Sequence, residues 1–372
     1  MRILFALFLP LFSVFASWQE ELCQKLAEQR IPEWMTAQIQ EDLAPYRNGI
    51  STKLLEETEA SYRAQCDSLF VRYEIVDRKV AAFADDATKK KDRFEIVTKA
   101  LQQLADCVAI PDQTFLVSLH DSFDSPLNGP LLVFGKNRET AKTNILIPDF
   151  EALLGHGKLL QKVDQGIKKF PWDKKVKKAF WRGATTGGIF TLANYKMFPR
   201  YQLASLSKKH SQLIDAAFTD IVQYENEAVK KKLRKFCGDY KSVYDHLKYK
   251  YQVLVDGNTC AYSRAIWQLF SNCVIFKQES PNIQWYYGAL QPYIHYIPVA
   301  NNLSDLVEKI SWAQNHDREA FEIMLRAREF ALQNLQQSDT FLYLYLLLTE
   351  MGKLAIPDNS SQESATLSAV ES

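Results

Sequence analysis

The chain has 372 residues, of which 47% are apolar and 24% are charged. A chain of this length and composition can bury a large core, and it predicts a globular protein of two domains. Its 45 basic and 44 acidic residues give a formal net charge of +1. This near-neutral balance argues against a nucleic-acid-binding protein, which needs a strongly basic surface.

The N-terminal residues have the pattern of an export signal. Arg2 precedes an apolar run from Ile3 to Phe15, and Ala16 supplies a small residue at a cleavage site. The run is shorter than the roughly 20 residues that span a bilayer. Residues 1–16 are therefore predicted to be a signal peptide, with an uncleaved anchor as the alternative. We expect the secretory pathway or the cell envelope, with peripheral membrane contact as a further option.

Cysteine usage agrees with export. In an exported protein some of the six cysteines could form disulfide bonds. They show neither a CxxC spacing nor a Cys/His cluster, so the sequence predicts no metal site. The six are Cys23, Cys66, Cys107, Cys237, Cys260 and Cys273.

In the N-terminal half, helical patterns alternate with short apolar runs. This alternation predicts a doubly wound α/β domain over residues 17–165. Helices are predicted at 18–30, 53–64 and 92–107, and strands at 69–75, 115–119, 131–134 and 144–148.

Residues 158–178 are predicted to connect this domain to a second one, because lysines crowd the segment and Pro171 interrupts it. The second domain is predicted over 166–319. The helices expected within 320–351 would pack back on the first domain, and a tail at 354–372 is predicted to be disordered because it holds few bulky apolar residues. Further helices are predicted near Arg200 and at 229–236, 303–315 (capped by Asn302), 320–335 and 339–351.

The segment from Tyr249 to Phe276 has the pattern strand, tight turn, helix, strand. The turn is Asp256-Gly257-Asn258, and the helix is predicted at 259–270. In a parallel sheet, ligands bind beyond the carboxyl ends of the strands, where the next helix begins. Arg264 would lie in the first turns of that helix. Free N–H groups and a guanidinium at a helix N-terminus suit a diphosphate.

Two more arginines, Arg182 and Arg200, also fall near junctions between loops and regular elements. The loop Thr185-Thr186-Gly187-Gly188 lies between them, and its glycines let the backbone approach a ligand. An ordinary ion pair is the alternative for each arginine.

Asp121 follows the predicted strand at 115–119. A carboxylate at the carboxyl end of a strand could act as a general base toward a substrate hydroxyl. Asp124 competes for this role, and a turn-forming aspartate is the alternative for Asp121.

A series of motifs in fixed order resembles the CAP10-type glycosyltransferases, glycosyltransferase family 90. That family includes the Rumi-like protein O-glucosyltransferases and the xylosyltransferases of capsule synthesis. The resemblance covers about Phe115 to Phe330. The motifs are SLHDxF, FWRGATTGG, PRYQL, KYKY, DG-x4-YSR and QPYIHYIPV.

The resemblance implies a GT-B fold, in which two Rossmann-like domains face each other across a cleft and the C-terminal one holds a UDP-sugar. It implies inverting, metal-independent transfer of glucose or xylose, with no cofactor beyond the UDP-sugar donor. Asp121 matches the acceptor-side base, and Arg200 and Arg264 match the arginines that grip the diphosphate. The donor site would be lined by Arg182, Gly183, Thr186 and Ser263.

We therefore expect a monomeric enzyme that glycosylates a hydroxyl of a glycan, a lipid-linked glycan or a protein. A role in lipopolysaccharide or capsule biosynthesis is one reading of the resemblance. The alternative is a non-catalytic secreted glycan-binding or scaffold protein that keeps the same fold.

Overall fold

A computed structural model describes residues 17–356 except 67, 124 and 126. The predicted signal at 1–16, residues 357–372 of the predicted tail, and Asp124 lie outside the described residues. The helices are α1 (Trp18–Ala27), α2 (Glu33–Leu43), α3 (Thr52–Gln65), α4 (Asp86–Lys89), α5 (Asp92–Cys107), α6 (Phe150–Leu153), α7 (Gly157–Lys169), α8 (Pro199–Lys209), α9 (Glu227–Leu233), α10 (Val243–His246), α11 (Tyr262–Phe270), α12 (Leu306–Asn315), α13 (Asp317–Asn334) and α14 (Gln337–Leu354). The strands are β1 (Ile50–Ser51), β2 (Phe70–Val76), β3 (Lys79–Phe83), β4 (Gln113–Ser118), β5 (Leu131–Val133), β6 (Lys136–Asn137), β7 (Asn144–Leu146), β8 (Val176–Gly183), β9 (Ile214–Phe218), β10 (Tyr249–Leu254), β11 (Val274–Gln278), β12 (Asn282–Ile283), β13 (Ile297–Val299) and β14 (Ala355–Ile356).

These elements form two compact units, and the protein is of the mixed α/β class that the sequence predicts. Among the described residues, the N-terminal unit contains 23–153 and 341–356. The C-terminal unit contains 17–22 and 154–340. The correspondence of these units to the two predicted domains stays a prediction.

The C-terminal unit is built on a five-stranded parallel sheet with the strand order β9-β8-β10-β11-β13. Read along the chain, this is second, first, third, fourth, fifth, which is a doubly wound order. The direction of winding reverses between β8 and β10. Strand β10 is buried along most of its length because helices cover both faces of a doubly wound parallel sheet. The predicted unit of strand, helix and strand is confirmed as β10, α11 and β11.

Residues 157–169 form helix α7 of this unit, so the prediction of a domain connection over 158–178 is wrong there. Helix α7 packs against α10 and α11. Its Gly166 lies against Leu247, where an added Cβ would come within 2.3 Å of the leucine side chain. Lys168 and Lys169 are exposed at the end of this amphipathic helix, which buries Leu160 and Val163. Lys175 lies beyond the helix, is buried and donates to Leu247 O.

The N-terminal unit has a mixed sheet with the order β3-β2-β4-β5-β7. Strands β4, β5 and β7 are parallel, but β2 is antiparallel to both β3 and β4. The prediction of a second doubly wound sheet is therefore wrong for β2 and β3, which are antiparallel. The four predicted strands are present as β2, β4, β5 and β7, and the sequence missed β3.

The missed strand follows a tight hairpin turn at Asp77-Arg78. Both residues have positive φ values, 47° and 65°, as a two-residue hairpin loop requires. Neither is glycine, so the strongest sequence signal of a two-residue hairpin is absent. Contacts distant in sequence hold the turn instead: the Arg78 guanidinium donates to Ala105 O at 2.7 Å and to Asp106 O at 2.5 Å.

Two smaller predictions also need correction. Helix α12 begins at Leu306 rather than at 303, and Asn302 does not cap it, since its Oδ1 accepts a hydrogen bond from the N–H of Ser304. At the other end of the chain, Ala355–Ile356 pairs with β1 as a parallel strand, so the start of the predicted tail is ordered. Between residues 17 and 356, none of the described helices is both long and apolar enough to cross a bilayer.

Candidate functional site

The reversal of winding between β8 and β10 marks the place at the carboxyl edge of the C-terminal sheet where a doubly wound fold has its ligand crevice. Helices that follow neighbouring strands leave on opposite faces there, and ligands of doubly wound proteins bind at this point. The loop after β8 carries Thr186, and the loop after β10 carries Gly257. A Cβ on Gly257 would lie 2.7 Å from both Thr186 Oγ1 and Arg200 Nη2. The two loops and the arginine therefore meet at one place, and only glycine fits between them.

Arg200 lies in the first turn of α8 and ties the two loops together. Its Nε donates to Asp256 O at 2.7 Å, and its Nη1 donates to Ala184 O at 2.9 Å. Within the described residues, Nη2 has no hydrogen-bond partner, and the guanidinium forms no salt bridge. Burial and the neighbouring charge of Arg264 lower the pKa of Arg200 to about 9. The side chain is thus still a cation at neutral pH.

Arg264 lies in the first turn of α11, as predicted, and approaches the same place. Its Nη2 donates to Arg182 O at 2.6 Å, and burial lowers its pKa to about 10. The guanidinium carbons of Arg200 and Arg264 lie 5.6 and 5.9 Å from the ring centre of the buried Trp181. In the described part of the chain neither arginine is paired with a carboxylate; backbone carbonyl groups hold both. The sequence-predicted pair of cations is therefore brought together without a salt bridge to a described carboxylate, and the nearby Asp256 carboxyl acts on Arg200 only through its electrostatic field.

The N-terminus of α11 adds donor groups at this edge. The first N–H groups of any helix lack partners within the helix, and Ala261 at the N-cap provides no side-chain cap. Ser263 is half-buried in this first turn, and its hydroxyl makes no hydrogen bond to the described residues. Tyr262 has a φ of 25°, a strained value for a non-glycine residue. A strained, uncapped helix start beside two arginines is suited to an anionic ligand.

The loop after β10 is fixed by Asp256, which the sequence indicated only as part of a turn. Its Oδ2 accepts hydrogen bonds from Ser280 Oγ at 2.5 Å and from Asn282 Nδ2 at 2.9 Å. Burial raises the pKa of Asp256, and these two bonds oppose the rise. Because the carbonyl of the same residue binds Arg200, the carboxyl group anchors the loop that orients the arginine.

The glycines of the loop after β8 do not present free N–H groups as the sequence indicated. The Gly187 N–H donates to Gln223 Oε1 and Asn258 Oδ1, both at 3.1 Å, and the Gly188 N–H donates to Gln223. Gly187 has a φ of 116°, which favours glycine. The glycines therefore shape the loop, and Thr186 is the residue of the loop that lies against Arg200 and Gly257.

Arg182 is at the end of β8, but its side chain points to the neighbouring strand β9. Its Nη2 forms a salt bridge with Asp215 Oδ1 at 2.7 Å, and its guanidinium lies over the ring of Phe180. This is the ordinary ion pair that the sequence left open. Its carbonyl, in contrast, accepts the hydrogen bond from Arg264. Gly183 follows, and a Cβ there would come within 2.6 Å of the Trp181 ring. A direct donor contact of either residue stays a prediction.

Asp121 belongs to the N-terminal unit and lies three residues beyond β4. Arg93 of α5, which the sequence analysis missed, binds it: Nη2 donates to Asp121 Oδ1 at 2.7 Å, and Nη1 donates to Leu119 O at 2.8 Å. The guanidinium also lies over the Phe150 ring at 4.4 Å. The Asp121 side chain is 36% exposed, so an oriented carboxylate faces solvent. The cooperation of Asp121 with the arginines of the other unit stays a prediction.

The residue before it, His120, is held by the segment after α3. Its Nε2 lies 3.2 Å from both Ser68 O and Cys66 Sγ, and burial lowers its pKa. His120 therefore helps to fix the backbone next to Asp121. Across the described residues, no group of three or more His, Cys, Asp or Glu side chains is arranged to hold a metal ion.

Comparison with known proteins gives one family and several relatives. The family model described as Glycosyl transferase family 90 matches residues 28–371. Protein O-glucosyltransferase 2 of Danio rerio is 32% identical over 262 residues, which cover 67% of this chain and 49% of that protein. Human protein O-glucosyltransferase 3 is 30% identical over 326 residues, or 84% of this chain and 60% of the relative.

Protein O-glucosyltransferase 1 of Rattus norvegicus is 26% identical over 332 residues, which cover 85% of this chain and 79% of that protein. Against the proteins named O-glucosyltransferase 2 and 3, the chain spans about half to three fifths of their length.

Proposed function

Because the chain belongs to glycosyl transferase family 90, we propose that it transfers a sugar from a UDP-sugar donor to a hydroxyl group of a protein. The acceptor class follows the names of the relatives, which are protein O-glucosyltransferases. The same names favour glucose over xylose as the transferred sugar.

One observation carries the donor assignment: two guanidinium groups meet at the switch point of the sheet without a carboxylate partner among the described residues. A half-buried cation without a counter-charge is costly unless an anion completes the site. A diphosphate supplies two negative groups and fits bidentate guanidinium donors. The start of α11, with the Ser263 hydroxyl, adds N–H and O–H donors.

The proposed reaction is a single displacement at the anomeric carbon. The acceptor oxygen forms a bond to that carbon from the face opposite UDP, and the bond from the carbon to the β-phosphate oxygen breaks. Asp121 accepts the proton of the acceptor hydroxyl. Negative charge grows on the departing diphosphate, and Arg200 and Arg264 stabilise it. This route inverts the anomeric configuration and takes its positive charge from arginines rather than from a metal ion.

The proposal needs Asp121 to reach the sugar bound at the arginine site, which is the GT-B arrangement implied by the resemblance. Arg93 would then orient the base, because its two hydrogen bonds fix both the carboxylate and the backbone before it. Asp256 would orient Arg200 through the loop after β10.

A donor screen tests the proposal. The full chain is incubated with UDP-glucose, UDP-xylose and other UDP-sugars, with and without EDTA, and released UDP is measured with and without an acceptor protein. We expect turnover with UDP-glucose that EDTA does not reduce. Absence of UDP release from every donor, together with measurable UDP binding, would favour the non-catalytic alternative.

An Asp121→Asn variant tests the role of Asp121 as the base separately from the binding of the UDP-sugar donor. Asparagine cannot accept the proton, so turnover should fall by about two to four orders of magnitude, while UDP binding measured by calorimetry should stay the same. Equal loss of UDP binding would show that Asp121 serves the donor site, which contradicts its assignment as the base.

A further inference from the structure

Two cysteine sulfurs from distant parts of the sequence face each other in the N-terminal unit. Cys23 Sγ of α1 and Cys107 Sγ of α5 lie 3.7 Å apart, although 84 positions separate them in the chain. Cys23 is exposed, and Cys107 is the last residue of α5. We propose that these two residues are the site of a disulfide bond that fastens α1 to α5.

The geometry allows the bond with a small adjustment. A disulfide has a sulfur–sulfur distance of about 2.05 Å, so the sulfurs must approach by roughly 1.7 Å. Rotation about each Cα–Cβ bond moves the sulfur without moving the backbone. Cys107 also sits where the regular backbone of α5 ends, since Val108 is already extended, and helix ends adjust more readily than helix interiors.

The other four cysteines have different neighbours. Cys66 Sγ lies 3.2 Å from His120 Nε2, and Cys273 Sγ lies 3.3 Å from Tyr249 O. Cys237 contacts Leu233 O, and Cys260 is buried. Across the described residues, no second pair of cysteine sulfurs lies within 4.0 Å. One specific pairing is therefore favoured over the many that six cysteines allow.

The chemistry is thiol–disulfide exchange with a small disulfide such as oxidised glutathione. The exposed Cys23 thiolate attacks one glutathione sulfur and releases one glutathione thiolate, which gives a mixed disulfide. The Cys107 thiol then loses its proton to solvent and attacks Cys23 Sγ, and the second glutathione leaves. Two protein thiols are oxidised, and one glutathione disulfide is reduced to two glutathione thiols.

The two cysteines differ in exposure and in thiol pKa, and these differences favour Cys23 as the first nucleophile. Burial, together with the contact to Cys23, raises the pKa of the Cys107 thiol to about 11. Cys107 is thus the slower nucleophile in solution, but it is already next to the mixed disulfide. The Arg78 guanidinium, which binds the last carbonyls of α5, favours its thiolate form.

The bond would close a long loop and hold α1 on the surface of α5. A crosslink across 84 positions removes much of the freedom of the unfolded chain. The first turn of the same helix carries Arg93, the partner of Asp121. The crosslink would therefore stabilise the helix that orients this carboxylate, and its presence is independent of the activity proposed above.

Peptide mapping tests the inference on the full chain. The protein is equilibrated in oxidised glutathione, quenched with acid, alkylated in denaturant and digested with trypsin without reduction. Cys23 lies in the peptide that ends at Lys25, and Cys107 is the only cysteine of peptide 100–136. We expect these two peptides joined, with a mass two hydrogen atoms below their sum. The alkylated thiols should fall from six to four, since two are consumed.

Three variants give the controls. Cys23→Ser and Cys107→Ser should each abolish the joined peptide and the rise in Tm of several degrees that oxidation gives the wild-type chain. Cys66→Ser, which alters a third cysteine of the same unit, should keep both. The inference is overturned if oxidation leaves Cys23 joined only to glutathione, joins it to Cys66 or leaves both residues alkylated. The wild-type map decides this even if a variant does not fold.

Discussion

Buried or half-buried cations in the two units have their charge balanced in different ways. In the N-terminal unit, the buried Lys136 binds Asp42 Oδ1 at 2.6 Å and Asn144 O at 2.7 Å. The second oxygen of Asp42 accepts the N–H of Leu146. In the C-terminal unit, Arg200 and Arg264 have only carbonyl partners within the described residues.

The difference indicates two roles: the charge of Lys136 stabilises the fold, whereas the charges of Arg200 and Arg264 are available to a ligand. The Lys136 pair is complete within the protein, so it connects α2 to the sheet and is closed to solvent. The arginine pair forms no salt bridge with the described residues and lies at the carboxyl edge of a parallel sheet, where ligands bind. The first two predictions below each alter one side of this contrast, and the next two alter other groups whose charge matters.

The largest effect is expected on stability, when the salt bridge between Lys136 and Asp42 is broken. Lys136→Met should leave the Asp42 carboxylate buried without a cation and cost about 3–5 kcal/mol in the free energy of unfolding. Urea unfolding measures the loss. The double variant with Asp42→Asn removes the orphaned charge and should recover a large part of it. If both variants lose the same stability, the carboxylate is not the cause.

The second effect is expected on turnover, when one of the two arginines Arg200 and Arg264 is removed. Arg264→Ala removes one of the two guanidinium groups, so turnover should fall by about two to three orders of magnitude and UDP binding should weaken. The Tm should change little, because Arg264 forms no salt bridge with the described residues. Calorimetry with UDP is the measurement, and Arg234→Ala, at an exposed arginine of the same unit, is the control. Unchanged UDP binding would reject the diphosphate site.

The third effect concerns orientation of the proposed base. Arg93→Ala should lower turnover by about one to two orders of magnitude, because a displaced catalytic group loses its geometry. UDP binding should stay constant, since Arg93 belongs to the other unit. Arg93→Lys keeps the charge but cannot bond to both Asp121 and Leu119 O through one planar group, so it should recover only part of the activity. Full recovery would mean that charge alone matters.

The smallest effect concerns Asp149, a fully buried carboxyl group that forms no salt bridge with the described residues. Burial raises its pKa to about 7, whereas the unfolded chain titrates near 3.9. Between these values the native state binds a proton that the unfolded state releases. Stability from this group is therefore present at pH 4 and is lost as pH rises through 7.

Asp149→Asn keeps an oxygen that can accept the N–H groups of Glu151 and Ala152 but does not titrate. The variant should thus have a Tm a few degrees above the wild type at pH 8, and the gap should shrink at pH 5. A gap that is the same at both pH values would show that Asp149 is not the titrating group. The contrast with the arginines is chemical: a buried acid can become neutral by taking a proton, but an arginine stays charged and needs an anion.

The parts of the site that the sequence predicted are those set by local pattern. The run from Tyr249 to Phe276 contains its own strand, turn and helix signals, so the position of Arg264 in the first turn of α11 followed from them. Asp121 was a candidate because it follows an apolar strand, and the resemblance favoured a base over a turn-forming aspartate. Its role as the base stays a prediction.

The parts that were missed depend on partners far along the chain. Arg182 turns to Asp215 because β8 and β9 are neighbours in the sheet, and no local pattern shows that pairing. Arg93 and Asp121 are 28 positions apart, and Arg93 looks like any basic residue of an amphipathic helix. The hairpin at Asp77-Arg78 lacks glycine, so the sequence did not predict strand β3 or its antiparallel pairing with β2.

The indole of Trp181 sits within 6 Å of both guanidinium carbons and is wholly shielded from water. Its fluorescence therefore depends on the electric field of two nearby cations. An anion that settles between them changes that field, so ordinary ultraviolet emission should follow donor binding without any attached dye. Comparing the natural chain with a Trp181→Phe variant would separate this signal from that of the other six tryptophans.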